Sequence, residues 1–224
     1  MSLIKKASRK SIPLKIVLGG PSGSGKTYSS LLLAEGLVGL NNTCVIDTEN
    51  ESANLYSQLG EYSVLPFAPP FNPQRYVKAI DMAVKEGYKC IIIDSVSQEW
   101  EGAGGILDLH NKYGGKFQDW AKVTPMHKEF IDAILQAPVH VISTVRKKQD
   151  YAMIEKDGRK VVEKMGLKEI QKDGFEYEAT LSFDIDIHNL AISSKDRTGL
   201  FADRLPFKIT KETGFKIKAW NGEA

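Results

Sequence analysis

Eight consecutive residues carry the strongest chemical signal in the chain: Gly20, Pro21, Ser22, Gly23, Ser24, Gly25, Lys26 and Thr27. They read G-x-x-x-x-G-K-T, directly after a short apolar run and directly before a helical pattern. Glycines at these places let successive backbone N–H groups curl around a polyphosphate, and the start of the following helix adds positive potential. Lys26 is a mobile cation for the outer phosphates, and the Thr27 hydroxyl is a hard-oxygen ligand for Mg2+. Tyr28 carries the segment into the helix. A dinucleotide fingerprint spaces its glycines differently and would leave Lys-Thr without a role. Residues 20–28 are therefore expected to bind ATP together with Mg2+.

Such a loop needs a carboxylate for the metal. Asp94 closes the run Cys90, Ile91, Ile92, Ile93, and a buried strand that terminates in Asp delivers its carboxylate to the C-terminal edge of a sheet. Capping of the next helix is the competing role. The run 43–48 leads into Glu49, and alternation along a strand sends Asp47 and Glu49 the same way. That would set Glu49 to polarise a water for in-line attack on the γ-phosphate. A solvated glutamate at a helix start is the other reading.

The elements that must position these groups alternate between short strands and helices, the signature of βαβ units around a parallel sheet. Strands are expected at 14–19, 43–48, 63–67, 89–94 and 139–145, and helices at 26–39, 73–86 and 125–136, with a helical patch near 52–59. Beyond Arg146 the sequence is densely charged, with turn signals at Asp157-Gly158 and Asp173-Gly174. Strands are expected again at 179–187 and 190–193. Residues 207–210 and 215–220, flanking Lys211-Glu-Thr-Gly214, read as a closing hairpin. The fold class is α/β: a mostly parallel central sheet flanked by helices, with antiparallel C-terminal strands. The expected division is a basic arm at 1–13, a nucleotide-binding core at 14–200 and a hairpin extension at 201–224.

Composition agrees with a folded chain of this kind. The 224 residues are 42% hydrophobic and 26% charged, ordinary for a globular protein and against wholesale disorder. No apolar run approaches the ~20 residues that cross a bilayer. Cys44 and Cys90 lie in strand-like runs and read as small buried hydrophobes in a reducing compartment. The four histidines, His110, His127, His140 and His188, are scattered, with no zinc spacing. The net charge of +2 hides an asymmetry: the first fifteen residues carry Lys5, Lys6, Arg9, Lys10 and Lys15 and no acid. That arm lacks the apolar stretch of a leader and reads as a solvated tail or as a phosphate-backbone contact.

Taken together, the phosphate loop, Glu49 after Val45-Ile-Asp-Thr, the pair Asp94-Ser95 and the run Val141-Ile-Ser-Thr-Val-Arg146 resemble the RecA-like branch of P-loop ATPases. At this length the resemblance is closest to small phage-encoded ATPases of single-strand annealing and recombination. It covers residues 14–200 and implies ATP hydrolysis with Mg2+, action on single-stranded DNA, and a homo-oligomeric ring or filament in the (host) cytoplasm. Thr144 falls where the family usually has a glutamine sensor. Lys195 and Arg197 resemble the late K-x-R pair that reaches into a neighbouring subunit's ATP site, with a solvated basic turn as the alternative.

The resemblance also implies two DNA-contacting loops. One would be 102–122, where Tyr113, Phe117 and Trp120 lie among Lys112, Lys116 and Lys122; packing of Phe117 and Trp120 onto the next helix competes. The other would lie within 146–172, where nine basic residues face five acidic ones and Tyr151 offers a stacking surface. Two other functions fit a P-loop chain of this size: a small-molecule kinase, which needs an arginine-bearing lid, and a nucleotide-switched scaffold with negligible turnover.

Overall fold

The computed structural model describes residues 7–9, 12–156 and 159–223. Its strands are β1 (Lys15–Gly20), β2 (Thr43–Asp47), β3 (Ser63–Pro66), β4 (Cys90–Asp94), β5 (His140–Lys156), β6 (Arg159–Glu169), β7 (Leu181–Ile185) and β8 (Ala191–Asp196). The helices are α1 (Lys26–Val38), α2 (Pro73–Lys85), α3 (Ser97–Glu101), α4 (Ile106–Lys112), α5 (Trp120–Gln136) and α6 (Lys211–Trp220). The sheet order is β3-β2-β4-β5-β1-β7-β8, with β6 paired to β5 off this path. β1 through β5 and β7 run parallel within it, while β8 is antiparallel to β7 and β6 to β5. This is the expected α/β architecture of a P-loop NTPase.

Burial explains the strand sequences. All five residues of β4 are buried, and such unbroken β-branched runs suit a parallel strand covered on both faces. On one face α1 and α6 pack Leu31, Leu33, Leu37 and Ile217 against Ile16, Leu18, Val45 and Ile92 of the sheet. On the other, Tyr76 and Ile80 of α2 and Phe130 and Ile134 of α5 cover Val17, Ile46, Ile91 and Ile93. The start of α2 is locally encoded: Pro73 occupies its first turn, and the Asn72 side chain accepts from the Arg75 amide at 3.0 Å.

Three expectations about the elements are corrected. The C-terminal segment is not a hairpin: residues 211–220 form α6, and Phe201, Ile209 and Ile217 belong to the same hydrophobic cluster as β1. Gly214 is not a turn residue; its role is a helix–helix contact. A β-carbon on Gly214 would lie 2.5 Å from the Leu33 carbonyl, and one on Gly36 would lie 2.7 Å from the Gly214 α-carbon. Gly36→Ala is therefore expected to push α1 and α6 apart and cost about 1–3 kcal/mol. Urea unfolding checks this, and an unchanged midpoint would show that the contact relaxes freely.

The second correction is at α5, which begins at Trp120 and carries Pro125 inside it. Trp120 stacks on His110 at 4.1 Å and on Trp100 at 5.9 Å, which anchors a first turn ahead of the proline. The third is that 102–122 is not an open loop: α4 and a 3-10 turn at Phe117–Asp119 fill it. The turn expected at Asp157-Gly158 lies outside the described residues, between β5 and β6.

Little of the N-terminal arm is described. Arg9 lies over the Trp220 ring at 5.0 Å, and Asn221 donates to the Ile12 carbonyl at 2.9 Å, so this stretch meets the end of α6.

Candidate nucleotide site

The phosphate loop leaves β1 at Gly20 and enters α1 at Lys26. Gly25, the residue before the helix, has φ 80 and no side chain to cap it, a left-handed conformation open to glycine at no steric cost. The amides of the first turn of α1 are thus left for a ligand rather than a capping side chain. Pro21 accepts from the Ser24 amide at 3.3 Å and from Lys26 Nζ at 2.8 Å. Ser24 Oγ is buried without a hydrogen-bond partner among the described residues. A buried hydroxyl left unpaired inside an anion cradle is what a phosphate oxygen would satisfy, so the loop fits a polyphosphate.

Parallel pairing brings the other groups to the same edge. β5 lies between β4 and β1, with Thr144 opposite Leu18 and Ser143 opposite Ile93. Asp94 is 2% exposed. Thr27 Oγ1 donates to Asp94 Oδ2 at 2.6 Å, and Thr144 Oγ1 donates to Asp94 Oδ1. Burial pushes the Asp94 carboxyl above the usual range, against the pull of these two hydroxyls. The same burial lowers Lys26, while Asp94 and Glu49 pull it back up. A buried carboxylate joined to the loop hydroxyl is a hard-oxygen donor pair that suits Mg2+, a metal that completes its shell with water and phosphate oxygens. Among the described residues no three His, Cys, Asp or Glu side chains gather as a metal cluster.

Glu49 reaches this site by a route that alternation does not foresee. β2 ends at Asp47, whose carboxylate turns back to accept from the Glu49 amide at 2.7 Å and the Ala53 amide at 2.8 Å. Thr48 then ties the chain to the end of β4. Its amide donates to the Asp94 carbonyl at 2.7 Å, and its hydroxyl accepts from the Ser95 amide at 2.8 Å. The result sets Glu49 beside Asp94: Oε1 accepts from Ser95 Oγ at 3.0 Å, and Oε2 from the Arg146 guanidinium. Sequence reasoning does not single out Thr48 or Arg146 for the site. Thr144, expected at a strand end, sits inside the longer β5 and holds Asp94.

The remaining candidates lie apart. Lys195 in β8 is level with Ser182 of β7, itself level with Val17, so the pair with Arg197 sits away from the loop end of β1. Lys195 Nζ donates to the Glu176 and Tyr177 carbonyls, and Arg197 to the Tyr177 carbonyl at 3.3 Å. Both cations thus hold the 3-10 turn Phe175–Glu178 of their own chain. Of the aromatics in 102–122, Trp120 is stacked in the fold, while Phe117 is 92% exposed. Within the charged stretch, Lys147–Lys156 pairs antiparallel with Arg159–Glu169 as the β5–β6 ladder, rooted by Lys147, which donates to Asp184 at 2.7 Å and meets Glu169 at 3.3 Å.

Next to the loop, Tyr28 meets Tyr56 edge-on, with ring centroids 5.6 Å apart. Among the described residues no helix is long and apolar enough to cross a membrane.

A search of curated proteins returns no match to this chain. A family model described as an AAA domain matches residues 12–202, a span that holds the loop, both carboxylates and every strand of the sheet. With that match covering most of its length, the chain belongs to the AAA domain family of P-loop ATPases.

Proposed function

We propose that the protein is an Mg-dependent ATPase that acts on single-stranded DNA in phage-type recombination or annealing, working as a ring or filament of identical subunits. The observation that carries the hydrolytic part is the convergence of Thr27, Asp94 and Glu49 on one edge of the sheet beside Lys26. In this reading the amides of residues 22–27 bind the phosphate chain and Lys26 draws charge toward the γ-phosphate. Thr27 and Asp94 would hold Mg2+, which when bound neutralises the β- and γ-phosphate oxygens. Glu49 orients a water and takes its proton as the water oxygen bonds to the γ-phosphorus and the bond to the leaving ADP oxygen breaks. Ser95 orients the Glu49 carboxylate. The half-exposed Tyr28–Tyr56 pair offers an aromatic edge for the nucleobase.

Support for the DNA part is the net +4 charge of 146–172 on a β-ladder whose first strand also carries Thr144 and Arg146. Exposed Phe117 among lysines adds a stacking candidate. A role for Lys195 and Arg197 in a neighbouring subunit's site would require both to leave the Tyr177 carbonyl that they hold in their own chain.

The test is ATP turnover with and without a single-stranded oligonucleotide across a salt series. Stimulation that falls steeply with salt is expected, because phosphate contacts release counterions. Lys26→Ala is expected to abolish productive nucleotide binding. Turnover with no DNA binding even at low salt would remove the DNA role and leave an ATPase. A second reading, a nucleotide-switched scaffold, draws on the ion pair that Arg146 makes with Glu49, which occupies the carboxylate needed for hydrolysis.

A further inference from the structure

The phosphate loop is walled on two flanks. On the β5 side lie Asp94, Thr144 and Glu49. On the other side β7 pairs with β1 and then turns into β8 through Asp186, Ile187, His188 and Asn189. This turn is built from its own backbone: Asp186 Oδ1 accepts from the His188 and Leu190 amides at 2.8 and 2.9 Å. The Asp186 amide donates to the Leu190 carbonyl at 3.0 Å, and the Asn189 amide donates to the Asp186 carbonyl at 3.1 Å. Asn189 sits at φ 62, in the left-handed region that asparagine enters more readily than most residues.

That conformation sets the side chain against the loop. A β-carbon on Gly20 would meet the Ile185 carbonyl at 2.5 Å, and one on Gly25 would meet Asn189 Nδ2 at 3.0 Å. The end of β7 and the turn after it therefore abut the first and the last glycine of the loop. Asn189 is exposed, and no protein group among the described residues takes its side-chain amide, which lies against Gly25. Asp186, the acid of this turn, spends one carboxylate oxygen on the turn's own amides. In the same loop Ser24 Oγ is buried and unpartnered. The cradle thus has a buried donor within it, Ser24 Oγ, and a solvent-facing donor at its β7 flank, the Asn189 amide.

We propose that Asn189 is a nucleotide-contacting residue, its side-chain amide donating to an oxygen of the phosphate chain bound by residues 20–27. The inference rests on the nucleotide reading of that loop. An amide donating to an anionic oxygen forms a charge-assisted bond, stronger than a neutral one, and the turn holds the donor in place before the ligand arrives.

The test titrates a fluorescent ATP analogue, and inorganic tripolyphosphate as its competitor, into the wild type, Lys26→Ala, Asn189→Gly and Asn189→Asp. Glycine removes the amide and keeps the left-handed backbone; aspartate keeps the size and turns a carboxylate toward the phosphates. Affinity for both ligands is expected to fall about tenfold with glycine and by about 100-fold with aspartate. The unfolding midpoint of the nucleotide-free protein should stay unchanged.

Unaltered affinity in both variants, with Lys26→Ala still unable to bind, overturns the Asn189 assignment and leaves the loop reading standing. So does a loss seen with the ATP analogue but not with tripolyphosphate, or one that only tracks a lowered unfolding midpoint. Failure of the wild type to bind either ligand overturns the nucleotide reading, and this inference with it.

Discussion

Replacing Glu49 by glutamine is expected to leave ATP binding near its wild-type affinity and to slow hydrolysis by ~10²-fold or more, the usual worth of a general base. Glutamine keeps an oxygen to accept from Ser95 Oγ but cannot take a proton from water. It also dissolves the ion pair with Arg146, whose side chain is 37% exposed, with Glu49 at 22%. A pair this open to solvent contributes at most about 1 kcal/mol, so the fold survives the change. Single-turnover phosphate release separates the two proposed readings. A collapse of the rate with binding intact supports hydrolysis through Glu49. An unchanged rate would mean that Glu49 serves only as the partner of Arg146, and the proposed base would have to be abandoned.

The second large effect is expected at Asp94, where function and stability should move in opposite directions. Asp94→Asn removes a charge from a wholly buried position; its one oxygen keeps one of the Thr27 and Thr144 hydroxyls, and the other hydroxyl can rotate to accept from the new NH2. In the nucleotide-free protein this change should be neutral or stabilising at neutral pH. The sign follows from burial, which raises the native carboxyl above its unfolded value of 3.8. The native state then holds the proton more tightly, so its advantage is complete below the unfolded value and is lost as pH rises through the native one. A plot of urea midpoint against pH should therefore fall across that window in the wild type and lack the step in Asp94→Asn.

With Mg2+ and ATP the order reverses. A ligand at a hundred times its Kd adds about 2.7 kcal/mol, a rise of roughly 5–11 °C in Tm for a chain of this size. Asp94→Asn should lose most of that increment and its dependence on Mg2+. A full increment in the variant would remove Asp94 from the metal site.

What can be read from the sequence is whatever is local. The loop is eight contiguous residues whose types answer one ligand, and Asp94 ends a run of apolar residues that only a buried strand explains. The contacts that complete the site are not local. Arg146 meets Glu49 across 97 positions of sequence, and Ser95 donates to Glu49 across 46. Nothing in the composition around Arg146, amid a stretch of lysines, distinguishes it from its solvated neighbours. Strand alternation points Glu49 to the right edge for the wrong reason, because β2 stops two residues earlier. Its actual guides are the hydrogen bonds of Asp47 and Thr48.

The C-terminal helix escapes a sequence reading for a related reason. Lys211-Glu-Thr-Gly214 has the composition of a turn, and only the close approach of Gly36 shows why a glycine belongs in the middle of α6. Pro125 misleads in the same way, because stacking around Trp120 outweighs the hydrogen bond that proline removes from α5.

β5 is at once an inner plank of the sheet and one stem of the ladder with β6. From Arg146 to Lys156 it extends ten residues further, about 33 Å at the usual rise of a strand. Its near end grips Asp94 through Thr144 and Glu49 through Arg146. The stem thus projects beyond the sheet edge, paired to β6 along its length. Under the proposed DNA role, a strand held along that stem would be joined to Thr144 and Arg146 by one backbone, and so to both carboxylates of the site.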